Sequence, residues 1–245
     1  MTHRFFIPSE WITPPTVRLQ NPIARQIKAV LRMQPGDELV VLDNLGMEWQ
    51  VQIIQMGKDM VEGQIVSQQV VQSEPKLQLT LYQGTLKAQK FEWVLQKGTE
   101  LGVSRFVPTI CQRSVVNKTD ALAKKYPRWH NIIREAAEQS RRGRLPQLEQ
   151  PMPLAEAIQH AGSTPLLLMP WEEASESNLK TILAAKMVND VAVFIGPEGG
   201  FANTEVEMVR EAGGQIVRLG LRILRAETAG LAVCAAILYE MDEWQ

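Results

Sequence analysis

Two short segments in the C-terminal third carry the residues best suited to chemistry. In the first, Ile195-Gly196-Pro197-Glu198-Gly199-Gly200 directly follows the apolar run Val191–Phe194. Three glycines in five positions let the backbone reach positive φ and approach a ligand closely, and Pro197 stiffens the turn. A tight strand-to-helix turn with no ligand would have the same composition. No Gly-Lys-Ser/Thr follows and the GxGxxG spacing is missing, so this is neither a phosphate-binding P-loop nor a dinucleotide fingerprint. In the second segment, Leu219-Gly220-Leu221-Arg222-Ile223-Leu224-Arg225-Ala226-Glu227-Thr228-Ala229, two arginines and a glutamate stand among apolar residues. A partly buried guanidinium needs an acceptor, and Glu227 is close by in sequence. A structural ion pair and a charged site beside a helix start both fit. The three histidines (His3, His130, His160) and two cysteines (Cys111, Cys234) are scattered, so neither metal-ligand spacing nor a disulfide framework is present, and no metal is expected.

The elements that must hold these turns are legible from periodicity. From Leu77 onward, short apolar runs alternate with helical segments. Strands are expected at Leu77–Tyr82, Arg105–Ile110, Pro165–Met169, Val191–Ile195 and Ile216–Leu219. Helices are expected at 87–101, 119–141, 153–160, 175–186, 204–212 and from about 227, which predicts an α/β domain with a mostly parallel sheet covered on both faces. Thr204-x-x-Glu207 reads as a capping box for the helix ending at Gly213-Gly214. In an open α/β sheet ligands collect at the carboxyl ends of strands, where both turns lie. Residues 1–72 read differently. Asn21-Pro22 opens a helix to about Met33, with Asn21 as its cap, and Glu38–Leu42, Met47–Ile54 and Met60–Val66 are strands joined by glycine-containing turns, the pattern of a small β-barrel. Ser67–Lys76 reads as a linker, which divides the chain into residues 1–72 and 73–245.

With 245 residues, 45% of them hydrophobic, the chain can build real cores in one domain or two. The longest apolar stretch, Ala226–Tyr239, is interrupted by Glu227 and Thr228 and falls short of the about 18 uncharged residues of a membrane span. The first residues lack an export signal, so a cytoplasmic protein is expected. Net charge is −1, but it is unevenly spread: residues 86–144 hold 13 basic against 5 acidic residues, a balance of +8, and residues 145–245 hold 6 against 14, a balance of −8. A basic block in an otherwise acidic chain suits a polyanion such as RNA, and equally a solvated helix face.

Taken together, Gly196-Pro197-Glu198-Gly199-Gly200-Phe201 with Glu205, and Leu219-Gly220-x-Arg222-Ile223-Leu224-Arg225-x-Glu227-Thr228-Ala229, resemble the C-terminal signature of the RsmE family of SPOUT RNA methyltransferases. Arg4-Phe5-Phe6, Gln96-Lys97-Gly98-Thr99-Glu100-Leu101-Gly102-Val103 and Glu135-Ala136-Ala137-Glu138-Gln139-Ser140-x-Arg142 with Pro146 are similar to other segments of that family, so the resemblance spans nearly the whole chain. Ala226 stands where the family often has Thr, and Gly98 where Ala is common.

The resemblance implies an N-terminal PUA-like β-barrel that binds RNA and a C-terminal SPOUT domain closed by a trefoil knot, a topology that physics alone would not suggest. It implies S-adenosylmethionine as cofactor, held by Leu168, Met169, Ile195, Gly196, Glu198, Gly199, Leu219, Gly220, Ile223 and Leu224. It implies methylation of uridine N3 in 16S ribosomal RNA, with the small ribosomal subunit as partner, and a homodimer whose interface includes residues 229–238. Uridine N3 becomes nucleophilic only as its proton leaves, so a cation beside the uracil oxygens and a proton acceptor are wanted. Arg225 is the expected cation, and Glu227 or Glu198 the expected acceptor. Arg4, Arg32, Lys97, Arg113, Arg141, Arg142 and Arg144 are candidates for phosphate contact. A SPOUT enzyme acting on another RNA, such as transfer RNA, and a non-catalytic RNA-binding assembly protein are the competing readings.

Overall fold

The computed structural model describes residues 2–174, 178–185 and 188–244. The chain forms two compact units, Met1–Glu74 with Ala137–Leu145, and Pro75–Ala136 with Pro146–Gln245.

The first unit is a six-stranded sheet built from β1 (His3–Phe6), β2 (Ile12–Thr13), β3 (Thr16–Gln20), β4 (Glu38–Leu42), β5 (Met47–Met56) and β6 (Met60–Val70). Its order is β1-β4-β5-β6-β3-β2, parallel only at β1/β4. Successive strand residues point to opposite faces, and the inward set, including Val17, Leu19, Leu39, Val41, Trp49, Val51, Ile53 and Val61, forms one core. Residues Ile23, Ala24 and Ile27 complete that core, but the expected regular helix to Met33 does not form. Helix α1 (Ile23–Arg25) widens at once into a π turn, Gln26–Val30, and Arg32 ends it in the left-handed region at φ 54°. Asn21 is not its cap, because the Asn21 side-chain amide donates to Asp59 instead. The expected linker is also shorter than its composition suggests. Strand β6 continues to Val70, and the Glu74 carboxylate accepts from the Gly143 and Arg144 N–H groups and pairs with Arg142 at 2.9 Å.

The second unit contains β7 (Gln78–Gly84), α2 (Ala88–Leu101), β8 (Arg105–Ile110), α3 (Thr119–Ala123), α4 (Tyr126–Gln139, whose last residues group with the first unit), β9 (Gln147–Leu148), β10 (Met152–Pro153) and α5 (Leu154–Ala161). It continues through β11 (Leu166–Pro170), α6 (Leu179–Ala185), β12 (Asp190–Ile195), α7 (Asn203–Glu211), β13 (Gln215–Val217) and α8 (Ala226–Glu240). Its sheet order is β10-β8-β7-β12-β11-β13 with β9 beside β8, and every pairing is parallel. Leu79, Leu81, Leu168, Val191 and Val193 face α2, α3, α4, α6 and α8, while Tyr82, Met169, Ala192 and Phe194 face α5 and α7. The doubly covered parallel sheet expected from the apolar runs is therefore what forms.

Two local expectations are corrected, and a third is described only in part. The single helix over 119–141 is two helices, because Pro127 supplies no N–H and its ring clashes with the carbonyl four residues back; α4 starts at Tyr126 and keeps the proline in its first turn. The capping box lies elsewhere. Helix α7 starts at Asn203 and Glu205 reaches back to the Ala202 N–H at 2.8 Å, while Glu207 is exposed and pairs with Arg210. The helix expected over 175–186 is described only as α6, since residues 175–177 and 186 lie outside the described residues. Among the described residues no helix is long and apolar enough to cross a membrane.

Candidate active site

Both turns sit at the carboxyl edge of the parallel sheet in the second unit and line one cavity of about 400 Å3. The Ile195–Phe201 turn leaves β12 from the sheet centre, where Gln83 and Ile195 are register partners on β7 and β12. The Arg218–Ala229 segment follows β13, and Pro170, Trp171 and Glu172 continue β11 into the wall between them. Lys90 of α2 reaches the same cavity.

Several backbone features fix this arrangement. Gly84 ends β7 so close to the first turn that a Cβ there would lie 2.5 Å from Pro197 N, 2.7 Å from Gly196 C and 2.9 Å from Ile195 O. Gly200 adopts φ +68°, which closes the turn through a Gly200 N–H bond to the Pro197 carbonyl. Phe201 is 3% exposed and anchors the outgoing chain. The Glu205 carboxylate, itself buried, accepts from the Ala202 N–H and, at 2.7 Å, from the Gln112 N–H. Beside it, the Arg113 guanidinium donates to the Gly199 carbonyl at 3.1 Å. In the second turn Gly220 holds φ +95° with nothing within 4 Å of its Cβ direction, so its backbone borders open space. Helix α8 is anchored by Val233, Cys234, Ile237 and Leu238, none of them exposed. Burial of each large apolar side chain contributes about 1.5–3 kcal/mol, more than propensity differences of under about 1 kcal/mol per residue, so packing holds α8 against the sheet.

The charged groups on the cavity form one cluster. Lys90 Nζ lies 3.5 Å from Glu198 Oε1 and 3.5 Å from Glu227 Oε1, so a single ammonium joins carboxylates from the two turns. Glu198 also accepts from the Lys87 N–H at 3.4 Å. Glu227 lies in the first turn of α8, where the helix dipole favours a negative charge. Its Oε2 is buried and, among the described residues, has no hydrogen-bond partner. Arg225 precedes the helix in an extended conformation, is exposed, and forms no ion pair among the described residues. Leu221 and Ile223, each 86% exposed, form an apolar rim.

Of the residues singled out from sequence, Ile195, Gly196, Glu198, Leu219, Gly220, Ile223, Leu224, Arg225 and Glu227 are brought together on this cavity. Leu168 and Met169 lie inside the sheet, one on each face, and Gly199 lies behind the turn against Arg113. The basic candidates divide in the same way. Arg32, Arg113, Arg141 and Arg144 are exposed. Arg4 is paired with Glu48, Lys97 with Glu100 at 2.8 Å, and Arg142, only 4% exposed, with Glu74. Sequence reasoning missed Lys90, Gly84, Pro170 and Trp171. Lys90 lay within the basic block and Gly84 at a strand end, but neither signal pointed to this cavity.

Comparison with known proteins identifies the family. A model described as RNA methyltransferase domain matches residues 73–238, and one described as RNA methyltransferase PUA domain matches residues 19–66. The ribosomal RNA small subunit methyltransferase E of Bacillus subtilis is 32% identical over 234 residues, covering 93% of this chain and 91% of the relative. That of Synechocystis is 32% identical over 241 residues, covering 97% and 77%. A solved ribosomal RNA small subunit methyltransferase E from Neisseria gonorrhoeae, bound to S-adenosyl methionine, superposes with a TM-score of 0.87 at 30% identity over 98% of both chains. A putative methyltransferase from Legionella pneumophila in complex with the cofactor superposes with a TM-score of 0.87 at 31% identity, again over 98% of both chains. The chain belongs to the ribosomal RNA small subunit methyltransferase E family of RNA methyltransferases.

Proposed function

We propose that this protein transfers a methyl group from S-adenosylmethionine to N3 of a uridine in 16S ribosomal RNA, acting on the small ribosomal subunit in the cytoplasm. The observation that carries this reading is the single cavity lined by both turns, in a chain whose gonococcal and Legionella relatives hold that cofactor. The cavity suits such a ligand in three respects. Its volume of about 400 Å3 lies within the roughly 300–1,000 Å3 of small-molecule sites. Gly220 exposes backbone to open space, and the unpartnered Glu227 Oε2 is a buried acceptor waiting for a donor.

In this reading Ile195, Gly196, Glu198, Leu219, Gly220, Ile223 and Leu224 hold the cofactor, with Leu168, Met169 and Gly199 shaping the wall from behind. S-adenosylmethionine supplies, when bound, a methyl group already activated by its sulfonium. The protein's work is to position uracil and to manage one proton. Arg225 faces a uracil oxygen and stabilises the charge that develops as N3 loses its proton, and Glu227 or Glu198 accepts that proton. Residues 1–72 form the PUA-like RNA-binding domain, and residues 73–245 form the SPOUT domain with its trefoil knot. Arg32, Arg113, Arg141 and Arg144 contact phosphates, so affinity for RNA falls steeply with added salt as counterions are released.

A homodimer is part of the same reading. An apolar groove of about 810 Å3 runs along the outward side of α8, where Leu221, Ala232, Ala236 and Tyr239 meet Leu179 and Leu183 of α6. Tyr239 is 69% and Leu221 86% exposed, and apolar surface gathered in this way marks an interaction site. The test of the function is transfer of labelled methyl from S-adenosylmethionine to small subunits that lack the modification, followed by identification of the nucleoside. N3-methyluridine is expected; any other product, or no transfer, overturns the proposal.

A further inference from the structure

Lys90 comes from neither turn, yet its ammonium lies beside a carboxylate of each. Its two ion pairs are each 3.5 Å long, against the roughly 2.7–2.9 Å of a charge-assisted N–H···O bond. An ammonium carries three donors, and two loose contacts leave it able to serve another acceptor. It is also one-third exposed, whereas Glu227 is nearly covered and keeps Oε2 unpartnered. A cation and a hydrogen-bond acceptor therefore stand side by side on the cavity wall, held by one contact. Uracil N3–H offers the complement, with an N–H flanked on each side by a carbonyl oxygen.

We infer that Lys90 is a second catalytic cation for the methyl transfer, facing one of the carbonyl oxygens that flank uridine N3 while Glu227 accepts the N3 proton. This inference rests on the uridine-N3 reading above. The negative charge of deprotonated uracil spreads over both flanking oxygens, so Lys90 and Arg225 divide it, one cation to each oxygen. The N3 proton passes to the Glu227 carboxylate, which lines the cavity. The N3 electron pair then forms the bond to the methyl carbon, as the carbon–sulfur bond breaks and leaves its pair on sulfur. Lys90 has a further effect before substrate enters. By neutralising part of the Glu198 and Glu227 charge it keeps two carboxylates compatible in one small cavity.

The test compares wild type with Lys90→Met and Lys90→Arg in four measurements: kcat and KM on small subunits, the pH dependence of single-turnover transfer, calorimetric affinity for S-adenosylmethionine, and fluorine NMR of RNA carrying 5-fluorouridine at the target position. The expected loss in K90M is about 100-fold or more in kcat, the effect of deleting one preorganised donor, with cofactor affinity changed less than about threefold. K90M transfer should rise with pH as the substrate sheds its own N3 proton, K90R should recover about tenfold, and the bound fluorouracil should ionise at higher pH in K90M than in wild type. A K90M enzyme with wild-type kcat, or with unchanged ionisation of bound fluorouracil, overturns the inference alone. A wild-type product other than N3-methyluridine overturns the parent reading and this inference with it.

Discussion

Replacing Gly84 by Ala tests whether the end of β7 shapes the cofactor cavity from behind. The added methyl would sit 2.5 Å from Pro197 N, 2.7 Å from Gly196 C and 2.9 Å from Ile195 O, all of them backbone atoms of the first turn. Normal contact between such atoms is about 3.5–4.0 Å, so no side-chain rotation relieves the overlap and the turn must move by roughly 1 Å. Overpacking of this kind costs about 1–3 kcal/mol, which lowers the melting temperature by about 2–4 °C per kcal/mol in a chain of this size. The same displacement misplaces the Gly196 and Glu198 groups that line the cavity. Affinity for S-adenosylmethionine should therefore fall at least tenfold in calorimetry, while urea denaturation reports the lost stability. Gly213→Ala is the comparison: its φ of +83° strains any side chain, but nothing lies within 4 Å, so it should lose stability and keep cofactor affinity. If G84A retained wild-type stability and affinity, the close approach of β7 to this turn would have no bearing on the site.

Other consequences can be checked as directly. Glu205→Ala removes the acceptor for the Ala202 and Gln112 N–H groups, and each buried donor left unsatisfied costs roughly 1–3 kcal/mol in urea denaturation. Arg225→Ala should abolish methyl transfer and leave calorimetric cofactor affinity nearly unchanged. For Glu48, burial pushes the carboxyl up, but hydrogen bonds from Gln69 and Arg4 and the charges of Arg4 and Arg141 outweigh it and hold the group below its usual 4.5. The stability it contributes is thus present above pH 4.5 and is lost as pH falls through the folded value, a slope that Glu48→Gln should flatten. Asp190 has the opposite sign. Burial raises its carboxyl above 3.8 against the opposing charge of Arg105, so its contribution fades as pH rises through the folded value and Asp190→Asn should raise stability at neutral pH.

The parallel sheet was legible because buried strands are nearly continuous apolar runs. The strands expected at Val191–Ile195 and Pro165–Met169 therefore form, as Asp190–Ile195 and Leu166–Pro170, with their type right and their limits within one residue. The cavity-lining turns were legible as turns because glycines cluster at two strand ends, and as a site only when both were taken together. What the sequence did not contain was adjacency. Gly84 matters because β7 lies beside β12 with Gln83 opposite Ile195, and Lys90 matters because the helix after β7 then passes the same edge. Strand order sets both, and residue types do not reveal it. The basic candidates were only partly legible for a different reason. Arg4 and Arg142 carry the same formal charge as Arg141, but Glu48 and Glu74 turn them inward. Counting charges cannot separate a paired guanidinium from a solvated one. The broken helix at Pro127 and the cap at Glu205 were both written in the chain, and a stricter use of proline geometry would have found the first.

Hydrogen exchange with and without S-adenosylmethionine tests the central claim most directly, because it reads each backbone amide where the cofactor is held to bind. Saturating cofactor should slow exchange in residues 195–201 and 219–227 together, leaving the strands of the first unit unchanged. Protection confined to one of these turns, or appearing only elsewhere in the chain, would contradict the claim that the two turns grip the methyl donor between them.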